Sequence, residues 1–284
     1  MPPPPAAAYD WLGNQALLPI AHGLGPQLWG GINSRSTFEE GYIRGFRIFE
    51  VDLAVTSDGH LVCFHGADEQ QLDRTSWQQY VDNLQTEGLH PLEFAQLVEW
   101  ARRDSELRFV LDVKNRFDDA YRLVRAAIGS PALGQSFIPQ IYHFDQLAQF
   151  RVDHFFAGEI FTSYQSGLST PAILQAAERL QVRVVTLTRE RVDRLHNVPA
   201  SVVILTHPVD DAFDAARLRA RGIRGIYTSY VTPASAPEVF APWPNGCRPG
   251  SQWKECHFIT VACREKVRGN ENRCLLPNSS EGAR

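Results

Sequence analysis

Several absences narrow the class of this chain before any motif is read. No run of about 18 apolar residues occurs, which excludes a membrane-spanning helix. The opening Met1-Pro2-Pro3-Pro4-Pro5-Ala6-Ala7-Ala8 has neither the positive charge nor the apolar core of about 7–15 residues that a secretory signal needs, so a cytoplasmic protein is expected. Basic residues are not in surplus: 28 Lys and Arg against 32 Asp and Glu leave a formal net charge of −4. Nucleic-acid binders concentrate positive charge on one surface, so no nucleic-acid partner is expected. Cysteine is scarce and poorly spaced for zinc. Of five cysteines, Cys63 lies in an apolar run, and Cys247, Cys256, Cys263 and Cys274 fall near the end without a Cys-x-x-Cys pair. Reduced thiols are expected, with disulfides near the end as the alternative. No internal repeat of about 20–50 residues stands out. Oligomeric state is not legible.

What is present is an alternation of apolar strand-like runs and helical patterns from Leu17 to Val231, which favours a parallel α/β architecture. Eight strands are expected, at Leu17–His22, Arg47–Thr56, Arg108–Lys114, Phe137–Tyr142, Phe155–Phe161, Val182–Thr188, Val202–Thr206 and Gly225–Thr228. Helical patterns lie near Thr37–Arg44, Pro91–Arg103, Asp118–Ile128, Phe144–Arg151, Pro171–Leu180, Arg189–Leu195 and Asp211–Arg221. Eight such strands point to a (β/α)8 TIM barrel, although an eighth outer helix is not evident; an open doubly wound sheet is the alternative. Residues 1–16 are expected to form a disordered or loosely packed lead-in, residues 17–233 the barrel, and residues 234–284 an irregular tail outside it. The polar stretch Gly66–His90 reads as a short insertion after the second strand, over the barrel mouth.

The chemistry begins in the second strand. In extended chain Glu50 and Asp52 share one face while Phe49, Val51 and Leu53 share the other. Two charges on a core strand cost several kcal/mol apiece unless they are compensated, and a hard divalent cation with oxygen ligands is one compensation. Asp112 and Lys114 repeat the pattern on the third strand. His22 ends the first strand, and His65 ends the run Leu61-Val62-Cys63-Phe64. In a barrel of this class the C-terminal ends of the strands carry the active site, so these six residues are expected to converge. Taken singly, each has a structural reading, such as a helix cap for an aspartate or an internal ion pair for Asp112 and Lys114. Agreement across three strands favours function.

These residues resemble the glycerophosphodiester phosphodiesterase family of the phosphatidylinositol-phospholipase-C-like superfamily. The matching elements are Ile20-Ala21-His22, Asn33-Ser34 with Phe38, Gly45, Glu50 and Asp52, Thr56, Asp58-Gly59, His65, Asp112-Val113-Lys114, Pro139-Gln140-Ile141-Tyr142 and Gly225-Ile226-Tyr227-Thr228. The resemblance implies a phosphoric diester hydrolase in which Glu50, Asp52 and Asp112 hold a divalent metal, Mg²⁺ or Ca²⁺ rather than zinc. It also implies that His22 and His65 share acid and base work while Lys114 steadies the phosphoryl charge. Asn33, Gln140, Tyr142 and His207 are the candidate substrate-binding residues. The implied partner is a small-molecule phosphodiester or a lysophospholipid. Four departures bear on substrate. Gly23 stands where the family usually has Arg, Ile32 where it has Glu, Asp112 where Glu is common, and Gly66 where Asp commonly follows the second His. Asp-x-Lys and His-Gly are closer to the sphingomyelinase D and phospholipase D branch, whose reaction can form a cyclic phosphate. A barrel that binds phosphodiesters without turnover is the non-enzymatic alternative.

Overall fold

The computed structural model describes residues 3–26, 33–64 and 69–241. Within them the strands are β1 (Leu18–Ala21), β2 (Ile48–Val55), β3 (Leu61–Cys63), β4 (Leu92–Glu93), β5 (Arg108–Val113), β6 (Phe137–Ile141), β7 (Ile160–Thr162), β8 (Val184–Thr188), β9 (Val203–His207) and β10 (Gly225–Thr228). Eight of them run parallel in the order β1-β10-β9-β8-β7-β6-β5-β2, and β2 pairs back to β1 at Ala21↔Phe49, which closes a (β/α)8 barrel. The short strands β3 and β4 extend β2 as an antiparallel flap. Among the described residues, no helix is long and apolar enough to cross a membrane.

Strand period and helix period sort the apolar residues into two cores. One face of the strands, with Phe49, Val51, Phe109, Leu111, Phe137 and Phe161, packs outward against the helices. Those helices present matching stripes: Phe94, Leu97, Val98 and Ala101 in Phe94–Arg103, and Ala120, Tyr121, Val124 and Ile128 in Phe117–Ile128. The other face, with Ile20, Ile48, Val110, Ile138, Ile160, Val184 and Leu205, fills the barrel interior.

The lead-in departs from expectation. Residues Ala6–Leu12 form a 3-10 helix whose Tyr9, Trp11 and Leu12 join the interior core, and Trp11 Nε1 donates to the Ala157 carbonyl at 3.0 Å. A barrel closed at its N-terminal end needs apolar side chains there, and this segment supplies them. The same contact explains the late start of β7. Gly158 adopts a φ of +74°, and a Cβ there would stand 2.6 Å from the Tyr9 ring, so the chain turns under Tyr9 before entering the sheet at Ile160. The apolar run Phe155-Phe156 packs in the outer core without being strand.

The boundary at residue 233 also moves. A short helix, Pro237–Phe240, occupies the outer layer after β10, and Ala236, Val239 and Phe240 are buried in the outer core. A four-residue helix carries too little periodicity to be seen in sequence. Truncation after Pro233 should therefore destabilise the fold by about 3 kcal/mol or more, since deleting one buried Phe side chain alone costs that much. Equilibrium denaturation is the measurement, and an unchanged midpoint would mean the helix adds nothing. The remaining tail, including Cys247, Cys256, Cys263 and Cys274, lies outside the described residues.

The insertion packs where the flap leaves β2. Leu72, Tyr80 and Leu84 cover Ala54, Val62 and Phe64, beside the acidic end of β2, and the Tyr80 hydroxyl donates to the Cys63 carbonyl at 3.0 Å.

Candidate active site

At the C-terminal end of the barrel the inward positions change from apolar to polar. Ile48 gives way to Glu50 and Asp52, Val110 to Asp112 and Lys114, Ile138 to Gln140, Ile160 to Thr162, Val184 to Thr186, and Leu205 to His207. The result is a pocket of about 160 Å³ lined by His22, Glu50, Asp52, Asp112, Lys114, Gln140, Tyr164, Thr186, His207 and Tyr227. Asp52 and Asp112 are register partners on adjacent strands, so their carboxylates stand side by side. Ligand oxygens of Glu50, Asp52 and Asp112 all lie within 4.8 Å of one another. Oxygens bound to one Mg²⁺ or Ca²⁺, each about 2.0–2.6 Å from it, can be at most about 5 Å apart, so the spacing fits a single cation.

The charge balance points the same way. Lys114 bridges Asp52 (2.7 Å) and Asp112 (2.8 Å) and, among the described residues, is the only lysine or arginine lining the pocket. Burial alone would depress its ammonium; Asp112 and Asp52 override that and hold it protonated, above the ordinary lysine range. Three carboxylates against one ammonium leave a formal deficit of two positive charges. Glu50 registers the deficit: burial first, then repulsion from Asp52 and Asp112, pushes its carboxyl well above the usual range. A divalent cation would reverse that pressure, and these residues fit one in spacing, donor type and charge.

Asp112 is braced by two tyrosines. Tyr142 donates to Oδ1, and Tyr164 donates to Oδ2 at 2.7 Å, alongside Lys114. The two hydroxyls also meet at 2.6 Å. An ionised carboxylate offers about four lone-pair sites, so these three donors leave Asp112 capacity for one further bond. Burial and the Asp112 charge hold both phenols above their ordinary range, hence as neutral donors. Tyr142 stands behind the pocket, whereas Tyr164 lines it.

Asn33 is held by three hydrogen bonds. Its amide donates to Asp52 Oδ2 and to the Phe64 carbonyl, both at 2.7 Å, and its Oδ1 accepts the Asp52 N–H at 3.1 Å. Both N–H donors are thus spent on positioning Asp52 and the chain at Phe64, and only the second lone pair of Oδ1 is open to another partner. Its φ of +56°, a region asparagine tolerates, turns the chain into this geometry. Asn33→Gly keeps that backbone and removes the amide. Metal affinity should fall by about 10–100-fold, the usual cost of losing an outer-shell partner; calorimetric titration with Mg²⁺ or Ca²⁺ checks it, and unchanged affinity would reduce Asn33 to a turn residue.

His22 follows β1, and the next residue, Gly23, has a φ of +55° and donates its N–H to Glu50 Oε2 at 2.8 Å. Glycine is thus suited to a position where the family usually carries Arg. The His22 and His207 rings meet edge to face at 5.6 Å, and His207 stacks on Tyr164 at 5.5 Å. Burial and then the neighbouring His22 lower the His207 pKa, favouring the neutral ring. His65 lies outside the described residues; the described chain ends one residue before it, at Phe64. Gln140 sits at the pocket floor, where its Oε1 accepts from Thr162 (2.9 Å) and Tyr227 (3.1 Å). Tyr164, Thr186 and Tyr227 were not legible as site residues, although Tyr227 lies in a matched segment.

The chain is thus a closed (β/α)8 barrel with a carboxylate triad and a lysine at its C-terminal mouth. Residues 32–117 match the Glycerophosphoryl diester phosphodiesterase family, and that segment holds Asn33, Glu50, Asp52, Asp112 and Lys114. The match spans under a third of the 284 residues, and within it the chain is similar to this family of phosphoric diester hydrolases. Solved structures share the barrel. A glycerophosphodiester phosphodiesterase from Parabacteroides distasonis aligns with a TM-score of 0.63 at 17% identity, over 80% of this chain and 96% of its own. An Oleispira antarctica phosphodiesterase in complex with the product sn-glycerol-3-phosphate gives 0.62 at 13%, over 82% and 98%. A glycerophosphodiester phosphodiesterase from Thermotoga maritima gives 0.58 at 15%, over 75% and 94%. Among curated proteins no sequence matches.

Proposed function

We propose that the chain is a divalent-metal-dependent hydrolase of glycerophosphodiesters or related head-group diesters, with His22 and His65 as its acid and base. The observation that carries this reading is the acidic triad Glu50, Asp52 and Asp112, drawn together with Lys114 in a pocket that His22 also lines. Glu50, Asp52 and Asp112 would hold Mg²⁺ or Ca²⁺, which when bound neutralises charge on the phosphoryl oxygens. Lys114 adds a permanent cation at the same centre. In hydrolysis, a water oxygen bonds to phosphorus as the bond to the leaving alcohol oxygen breaks; one histidine takes the water proton and another gives one to the alcohol. Acid and base for in-line displacement act on opposite sides of phosphorus. The His22 and His207 rings are in contact at 5.6 Å, which suits them poorly to opposed roles, and the family resemblance supplies His65 as the second histidine.

A second reading is favoured by Gly23 and Asp112. Without the family's Arg after His22, and with Asp-x-Lys on β5, the pocket suits a lysophospholipid or related lipid diester attacked by its own hydroxyl to give a cyclic phosphate. One experiment separates the readings: glycerophosphodiesters and lysolipids are assayed with Mg²⁺, Ca²⁺ or chelator, and products are read by phosphorus NMR. Metal-dependent release of a phosphomonoester from glycerophosphodiesters supports the first, a cyclic phosphate the second. No turnover across the panel would leave a binding barrel.

A further inference from the structure

Beneath the acids a chain of buried hydrogen bonds crosses the barrel. Gln140 on β6, Thr162 on β7, Thr186 on β8 and Tyr227 on β10 are each at most 2% exposed. Thr162 Oγ1 donates to Gln140 Oε1 at 2.9 Å, and the Tyr227 hydroxyl donates to the same oxygen at 3.1 Å. The Tyr227 hydroxyl has one proton, and it is directed at Gln140. Its remaining contact, with Thr186 Oγ1 at 3.2 Å, must therefore have Thr186 as donor. Every proton direction in the chain follows, from Thr186 to Tyr227 to Gln140, and from Thr162 to Gln140.

Both lone pairs of the Gln140 carbonyl are thus taken, and the carbonyl faces the two hydroxyls. Among the described residues its NH2 has no hydrogen-bond partner, and Gln140 lines the pocket. An uncharged double donor stands out among Glu50, Asp52 and Asp112, which when ionised accept only. The group it suits is an oxygen anion carrying no proton, such as a phosphoryl oxygen.

Resting on the phosphodiesterase reading above, we propose that Gln140 donates to a non-bridging oxygen of the substrate phosphate, and that Thr162 and Tyr227 are positioning residues holding its amide in the donating orientation. Thr186 orients Tyr227. Such a donor reads the phosphate rather than the alcohol, so its loss weakens all diester substrates alike. Gln140 needs two hydroxyl partners because a neutral amide free to rotate would present its carbonyl oxygen to the phosphate half the time, and that orientation is repulsive.

The test uses the full-length protein with metal present, and inorganic phosphate as a binding probe beside turnover. Gln140→Leu should lower kcat/KM and phosphate affinity by about 10–100-fold, the scale of a hydrogen bond to a charged group. Thr162→Val and Tyr227→Phe should raise KM several-fold with kcat nearly kept, while Thr162→Ser, which retains the hydroxyl, should restore KM. Nitrogen-15 NMR of the Gln140 side-chain amide should show its protons shifting on phosphate addition in the unmodified protein. The proposal is overturned if Gln140→Leu leaves KM and phosphate affinity unchanged, if Thr162→Ser is as impaired as Thr162→Val, or if the amide does not respond to bound phosphate. An unmodified protein that binds phosphate without hydrolysing any diester would refute the catalytic reading while leaving Gln140 testable by binding alone.

Discussion

Glu50→Gln or Asp52→Asn should lower turnover by at least about 10²–10³-fold, the range seen when one electrostatic stabiliser of a developing charge is removed. Each variant keeps side-chain size and removes one unit of ligand charge from a triad whose oxygens lie within 4.8 Å. Without metal, Glu50→Gln should be the more stable protein. Burial, Asp52 and Asp112 all oppose ionisation of Glu50, so the folded state holds its proton at pH values where the unfolded chain has released it. A state that keeps extra protons loses stability as pH rises. The metal-free protein should therefore weaken as pH climbs above the ordinary glutamate value of 4.5, and Glu50→Gln should flatten that slope. Adding Mg²⁺ or Ca²⁺ should restore the parent and do much less for the variant. Turnover, calorimetric metal affinity and thermal midpoints with and without chelator form one data set. Near-normal turnover in both variants would remove the metal site as drawn, and an unaltered pH slope in Glu50→Gln would place the strain elsewhere.

The acids were legible because strand period is rigid: Glu50 and Asp52, or Asp112 and Lys114, must share a face, and charge on a core face demands a reason. The rest of the pocket obeys the same rule but needed strand ends placed to one residue. β7 was expected over Phe155–Phe161 and is found at Ile160–Thr162, so the inward series Ile160, Thr162, Tyr164 could not be read. Correctly placed, it would have led to Tyr164 directly. Tyr227 was in plain view, in a matched segment, but a tyrosine in an apolar strand reads as core; only its bond to Gln140 across the barrel shows otherwise. Asn33 was read as substrate-binding from the family resemblance, and nothing local reveals that Asp52 and Phe64, 19 and 31 residues away, take both of its amide N–H groups. The lead-in was missed because Pro-rich sequence gives no helical signal, and Tyr9 and Trp11 have value only against a barrel end formed by distant strands.

The acid and base division gives the second large effect. Replacing His22 or His65 by Ala should each cost about 10²–10⁴-fold on a substrate with an alkyl alcohol leaving group, the contribution of a positioned acid or base. The two losses should then diverge on an activated diester. Nitrophenolate departs without a proton, so the variant lacking the acid should regain most of its rate on a nitrophenyl diester, while the variant lacking the base still has no acceptor for the nucleophile's proton. His207 supplies the control, because it abuts His22 at 5.6 Å and its ring is held towards the neutral form by burial and by His22. His207→Phe preserves the stack on Tyr164 and should show no recovery that depends on leaving group. The unmodified enzyme should give a bell-shaped pH profile, since the base must be unprotonated and the acid protonated at the start of turnover. Parallel losses for His22→Ala and His65→Ala on both substrates would contradict the division of labour and reduce both residues to structural or ligand roles.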